Sequence, residues 1–298
     1  MTTQAAGRGA VVGQRQRTAS EQLRIGLGRS FLHISLFLIA VLWLVPSFGL
    51  LVTSFRTRPD IASSGWWTAF SNLRFTTGNY REVLTSQGMG QAFLNSLIIT
   101  VPSAILPILI ASLAAFAFAW MPFPGRDTLF LCIIGMMVIP IQMSLVPVLR
   151  LFNTFGLTQS FLGIWLAHTA FALPFAIFLL RNFFVGIPRD LIEAARIDGA
   201  GNLGIFFKLI LPVSVPALAS LGIFQFLWVW NDLLMALIFI QSPTALPLTV
   251  RMSQLLSTYG TEWHLLSAGA FILMAMPLIV FFSLQRYFVQ GLMAGSVK

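Results

Sequence analysis

Arg189, Asp190, Glu193, Arg196, Asp198 and Lys208 crowd into a short stretch of a chain that is only 9% charged. No nucleophile with a base and no metal-ligand spacing occurs among them. Small residues lie between the charges: Ala194, Ala195, Gly199 and Gly201. Small side chains let a second surface approach the backbone, and charges at the edges orient it. This is the chemistry of a docking site. A second set lies inside apolar runs: Asn95, Gln142, His168, Thr169, Gln225, Trp228, Asn231 and Asp232. Neutral hydrogen-bonding groups and an indole suit an uncharged polyhydroxyl solute. Each of them suits a hydrogen bond between helices equally well. Asp232 is the one acid within an apolar run; it either carries ions or, with Asn231, caps or bends its helix beside a wet cavity.

Other chemistries find no residues. The chain has no G-x-x-x-x-G-K-[ST] sequence, and its only lysines are Lys208 and Lys298. It therefore has no P-loop, and no bound cofactor is expected. His33, His168 and His264 are isolated, and the single Cys132 lies in an apolar run, so neither a metal site nor a disulfide framework is expected. No G-x-S-x-G elbow occurs. An enzyme active on its own is not expected.

The elements that must position these residues are membrane spans. With 57% hydrophobic residues, the chain reads as an all-α integral membrane protein. Apolar runs near 31–55, 93–118, 129–149, 161–184, 213–240 and 265–284 give six transmembrane helices, each long enough for the roughly 30 Å hydrocarbon core. Six spans put both termini on one side. Placing them in the cytoplasm leaves 12 Lys and Arg inside and 6 outside, of 18 in all. That is the orientation favoured by the positive-inside rule. The net charge of +9 collects in tails and loops beside the spans, so lipid rather than nucleic acid is the expected neighbour. The organisation reads as a polar tail (1–30), a first helix with an outer loop (31–90), a five-helix core (91–286) and a C-terminal tail (287–298). Trp66, Trp67 and Tyr80 in the outer loop suit an interface. Ala111 to Ala119 is a small-residue stripe for close helix packing.

The docking stretch falls between the fourth and fifth spans, in the cytoplasm. Pro188 suits the start of a short helix, Leu191 to Ile197. Gly199 and Gly201 then end it. Asn202 is placed to cap a second run, Leu203 to Leu211, closed by Pro212.

Glu193, Ala194, Ala195, Gly199, Leu209, Leu211 and Pro212 fall in register on the pattern Glu-Ala-Ala, three residues, Gly, nine residues, aliphatic, any residue, Leu-Pro. This resembles the EAA loop of the permease subunits of binding-protein-dependent ABC importers; Leu209 stands where Ile is commoner. RNFFVGIPRDLIEAARIDGAG (181–201), WVWND (228–232), MMVIPIQMSLVPVLRLFNTFGL (136–157), FTTGNY (75–80) and the tail QRYFVQGLMAGSVK (285–298) are similar to the carbohydrate branch, on the side of the shorter permease of maltose- and α-glucoside-type systems. The likeness covers residues 31–298.

The resemblance implies a type I ABC importer permease fold in the cell membrane, with a cytoplasmic coupling helix. It implies four kinds of partner: a second permease, two ATP-binding subunits, an extracytoplasmic solute-binding protein and membrane lipid. ATP and Mg would sit on the ATPase. Glu193, Ala194, Ala195, Arg196, Asp198, Gly199 and Pro212 would carry coupling. Gly291, Ala294, Gly295 and Ser296 match a tail that contacts the ATPase dimer. Asn95, Gln142, His168, Gln225, Trp228, Asn231 and Asp232 remain the solute-path candidates. The alternative is a cation-coupled secondary transporter centred on Asp232. Such a protein would have no use for a docking loop.

Overall fold

The computed structural model describes residues 19–71 and 73–294, with side chains from 29 to 286. Fourteen α-helices follow one another, and no strand occurs among the described residues. They are α1 (Ala19–Ser54), α2 (Arg58–Ser63), α3 (Gly78–Thr85), α4 (Met89–Trp120), α5 (Arg126–Met136), α6 (Ile141–Thr154), α7 (Phe161–Val185), α8 (Arg189–Ile197), α9 (Asn202–Ile205), α10 (Leu211–Val213), α11 (Val215–Trp230), α12 (Leu234–Phe239), α13 (Leu248–Thr258) and α14 (Trp263–Ala294). A 3₁₀ turn covers Trp66–Phe70, and a π-helical turn, Phe206–Ile210, joins α9 to α10.

Two compact units divide at Leu50. The first holds most of α1, which is apolar on every side from Phe31 onward, as a helix in hydrocarbon must be. The second begins at Leu51. In it α4 and α7 pack along Ala111, Ala115 and Ala176, all buried, where the absence of bulk brings the backbones close. Around this seam gather Leu180, Phe184, Ile205, Phe206 and Leu221. A second cluster joins α4, α7, α11 and α12. A third joins α3, α4, α13 and α14 around Trp230.

Four helices are long and apolar enough to span a membrane, and two bent pairs bring the number to six. The bends correct the expected straight spans. The third span is α5 and α6 meeting at 102°. Pro140 lacks an N–H and pushes its predecessor out of the helical region, so Met137 to Ile139 close as turns instead. The fifth span begins with α9 to α10 turned by 74° from α11 at Ser214. It ends at Trp230, and α12 follows as a separate helix.

The segment between α1 and α4 is a built structure. Arg56 is buried; its guanidinium donates to Asp60 O (2.7 Å), Ser64 Oγ (2.7 Å) and Ser64 O (3.1 Å). Buried Asn79 donates to Ser54 O (2.8 Å) and Arg56 O (2.9 Å). Arg58 pairs with Glu262.

At the start of α7, Ser160 Oγ accepts from Gly163 N (3.0 Å), an N-cap. A Cβ at Gly163 would stand 2.0 Å from Leu157 O. Gly163→Ala must therefore displace backbone, at a cost of about 1–3 kcal/mol or more. We expect it to lower the yield of monodisperse subunit on size exclusion after detergent extraction.

Candidate functional site

The docking stretch begins at α8. Its one fully buried side chain is Ile192, 1% exposed, set into the α4–α7 core with half-buried Ala195 beside it. This anchor fixes which face looks outward. Leu191 (44% exposed), Ala194 and Ile197 (86%) stand on that outward side, with Glu193 and Asp198 also exposed. This leaves an apolar patch rimmed by charge on the outward side of α8. Arg196 turns back instead, and its guanidinium donates to Trp120 O at the end of α4 (3.3 Å).

The turn after α8 is set by glycine. Gly199 has φ +83°, in the left-handed region that side chains rarely adopt. Ala200 N donates to Ala195 O (2.9 Å), the six-to-one bond of a Schellman cap. A Cβ at Gly199 would meet nothing within 4 Å, so the constraint is conformational rather than steric. Asn202 does not cap the next run: Gly201 holds that position, and Asn202 begins the helix itself. Pro212 is exposed, and just before it the chain takes a π-helical turn in which Leu211 N donates back to Phe206 O. The turn went unread in the sequence; Pro212, which cannot donate an N–H, was its only signal.

The polar residues of the spans divide into ties and open groups. Asn95 is buried and donates to Thr244 O (2.8 Å) and Leu246 O (3.1 Å), holding the segment before α13 on α4. Buried Gln225 donates to Ser103 O (3.3 Å), joining α11 to α4. Asp232 caps α12, accepting from Ala236 N (3.1 Å) and Met235 N (3.4 Å). His168 Nε2 lies 3.9 Å from Asp232 Oδ2. A cavity of about 10 Å³ opens between them and Thr100, room for one water molecule and not for a solute. Gln142 and Asn231 are exposed, and Trp228 is 41% exposed. Gly291 and Ala294 lie on α14 beyond the described side chains, and Gly295 and Ser296 lie outside the described residues. No group of three His, Cys, Asp or Glu side chains suited to a metal occurs among the described residues.

Sequence reasoning chose Trp228 and passed over Trp230. Trp230 is 1% exposed, stacks on Phe226 (5.7 Å), meets Phe93 edge-on (5.6 Å) and donates to Leu273 O (2.9 Å). The Phe226–Trp230 spacing of four was the available signal.

Asn95→Leu removes both donated bonds and leaves two carbonyls unpaired. We expect a loss of about 2–3 kcal/mol, read as a lower melting midpoint of the purified subunit with insertion unchanged.

Membrane-spanning helices with a short helix, exposed on one side, between two of them define a helical membrane protein. The model of the binding-protein-dependent transport system inner membrane component matches residues 108–293, and the chain belongs to that family. It is 54% identical to an osmoprotective compounds uptake permease protein of Synechocystis sp., over 90% of this chain and 91% of that one. It is 41% identical to an alpha-glucoside transport system permease protein of Rhizobium meliloti, over 89% of this chain and 96% of that one. Among solved structures, a bacterial ABC transporter importing the acidic polysaccharide alginate has the same fold, with TM-score 0.62 and 18% identity over 90% of this chain and 98% of that one. The chain is thus a membrane-embedded permease subunit of an ABC importer, a transport component and not an enzyme. The cation-coupled alternative finds no support.

Proposed function

We propose that this permease forms half of the translocation path of a sugar importer, for an oligosaccharide, an α-glucoside or a glucosyl-polyol. The names of its relatives, an alpha-glucoside permease and an arabinooligosaccharides permease among them, support that solute class. So do the neutral hydrogen-bonding side chains at the spans. Asn95, Gln225 and Asp232 act as ties that shape the path, with His168 buried beside Asp232. Gln142, Trp228 and Asn231 are the groups open to a solute or to the second permease.

The observation that carries the coupling role is the split of α8, with Ile192 in the core and Leu191, Ala194 and Ile197 facing out. In this reading both termini are cytoplasmic, and Glu193, Ala194, Ala195, Arg196, Asp198 and Gly199 dock on an ATP-binding subunit. The residues from 287 onward, with Gly291, Ala294, Gly295 and Ser296, reach the ATPase dimer. Two ATP-binding subunits, a second permease and an extracytoplasmic solute-binding protein complete the assembly, and ATP and Mg are held by the ATPase. Closure of the ATPases pushes on α8. Ile192 passes the push to the α4–α7 core, and the permeases rock from inward- to outward-facing.

Isolation of the tagged subunit in mild detergent, with mass spectrometry of its companions, tests this reading. A second permease and an ATP-binding subunit are expected. Recovery of this chain alone, with uptake intact in vesicles lacking ATP, would overturn it.

A further inference from the structure

Beneath α8, on the side away from its exposed patch, lies a pocket of about 240 Å³. Arg189, Ile192, Glu193 and Arg196 line it from α8, at spacings that put them along one side of the helix. Arg126 closes it from the first position of α5, and Trp120 from the last position of α4. Three arginines and one acid, the exposed Glu193, thus line the pocket; the Arg196 guanidinium already donates to Trp120 O, at 3.3 Å. Asp127, adjacent to Arg126, pairs with it at 3.1 Å.

Other observations make this more than a basic patch. The indole N–H of Trp120 is buried and has no hydrogen-bond partner. A buried donor of this kind is unfavourable unless a ligand or water accepts from it. The helices α5 and α8 both start at the pocket, and neither has a side-chain cap; Asp127 and Asp190 stand in their first turns. All three cations are arginines, whose planar forks match phosphate oxygens. The depth fits as well. Trp120 ends the membrane-spanning stretch Met89–Trp120, and tryptophan sits at the headgroup level of a bilayer. Basic pockets between transmembrane helices at this level take anionic headgroups.

We propose that this pocket binds the phosphate of an anionic phospholipid headgroup, and that the bound headgroup holds α8 at its resting angle against α4 and α5. The inference does not depend on which solute is carried.

The test uses the transporter complex purified with its partner subunits. Retained phosphatidylglycerol and phosphatidylcholine are counted by native mass spectrometry, for the wild type and for Arg126→Gln/Arg189→Gln. The wild type should retain phosphatidylglycerol in preference. Each arginine near an anionic surface is worth roughly fivefold, so the double variant should lose that preference by about 25-fold, and Arg126→Gln alone by about fivefold. Size exclusion confirms that the variants remain assembled, and Arg126→Gln, at an exposed helix start, serves if the double variant does not. Unchanged phosphatidylglycerol retention in the variants would overturn the proposal. Equal retention of both lipids by the wild type would also overturn it, leaving the pocket to an acidic segment of a partner. Displacement of the lipid by millimolar inorganic phosphate would overturn the lipid assignment in favour of the free anion.

Discussion

Gly199→Val is expected to abolish solute uptake, by at least about tenfold, while the subunit still inserts and assembles. A left-handed backbone costs an ordinary residue about 1–2 kcal/mol, and a β-branched one more. The space around Gly199 is open, so the variant is not excluded sterically. It relieves the strain by leaving φ +83°, and the six-to-one bond from Ala200 to Ala195 is lost with it. The exit of α8 then changes direction, and the patch of Leu191, Ala194 and Ile197 no longer meets the ATPase squarely. In proteoliposomes, ATP hydrolysis should persist at its basal rate but lose stimulation by loaded solute-binding protein. Gly199→Asn should retain most uptake, because Asn tolerates the left-handed region. Glu193→Lys should uncouple in the same way through charge, with α8 unaltered. Normal stimulated hydrolysis and uptake in Gly199→Val would remove the turn from the mechanism.

Trp230→Ala is expected to have the largest effect on stability. Deleting a buried Trp costs about 3–5 kcal/mol, against a total of roughly 5–15 kcal/mol for a domain. The stack on Phe226 and the edge contact with Phe93 add to that loss. The carbonyl of Leu273 on α14 also loses its indole donor. We expect little folded subunit after extraction, measured by fluorescence-detected size exclusion. Trp230→Phe keeps the ring contacts and loses the hydrogen bond, so it should recover most of the yield. Equal yields for Trp230→Ala and the wild type would show that α11 and α14 are held together elsewhere.

The short helix and glycine turn of the 189–212 loop were legible because their determinants are local. Glu193, Ala194, Ala195, Gly199 and Pro212 act within a few residues of one another, and a glycine past the end of a short helix specifies its own left-handed turn. The bends were not legible, because proline does not decide them alone. Pro102 and Pro107 lie inside an unbroken α4, Pro174 inside α7 and Pro277 inside α14, yet Pro140 stands where α5 and α6 part at 102°. Whether a freed carbonyl finds another partner depends on neighbouring helices, and a single sequence does not show them. The exposure of the polar and aromatic span residues was hidden in a related way. A helix apolar all round gives no moment to tell inside from outside. Trp228 and Trp230 read alike, and the fold exposes one and buries the other. Asp232, read from sequence either as an ion carrier or as a cap or bend within the fifth span, lies past the end of α11, and its carboxylate accepts from Met235 and Ala236 at the start of α12.

Photo-cross-linking from position 194 in the assembled transporter, in native membranes, tests the coupling role most directly. Ala194 is exposed on α8 and contributes nothing to the core, so a photoreactive side chain there leaves the fold intact. A covalent adduct between this chain and the ATP-binding subunit is predicted from position 194, with none from Thr258 at the end of α13 in the opposite loop. An adduct from Thr258 and none from 194, with ATP-driven uptake intact, would contradict the assignment of α8 as the coupling helix.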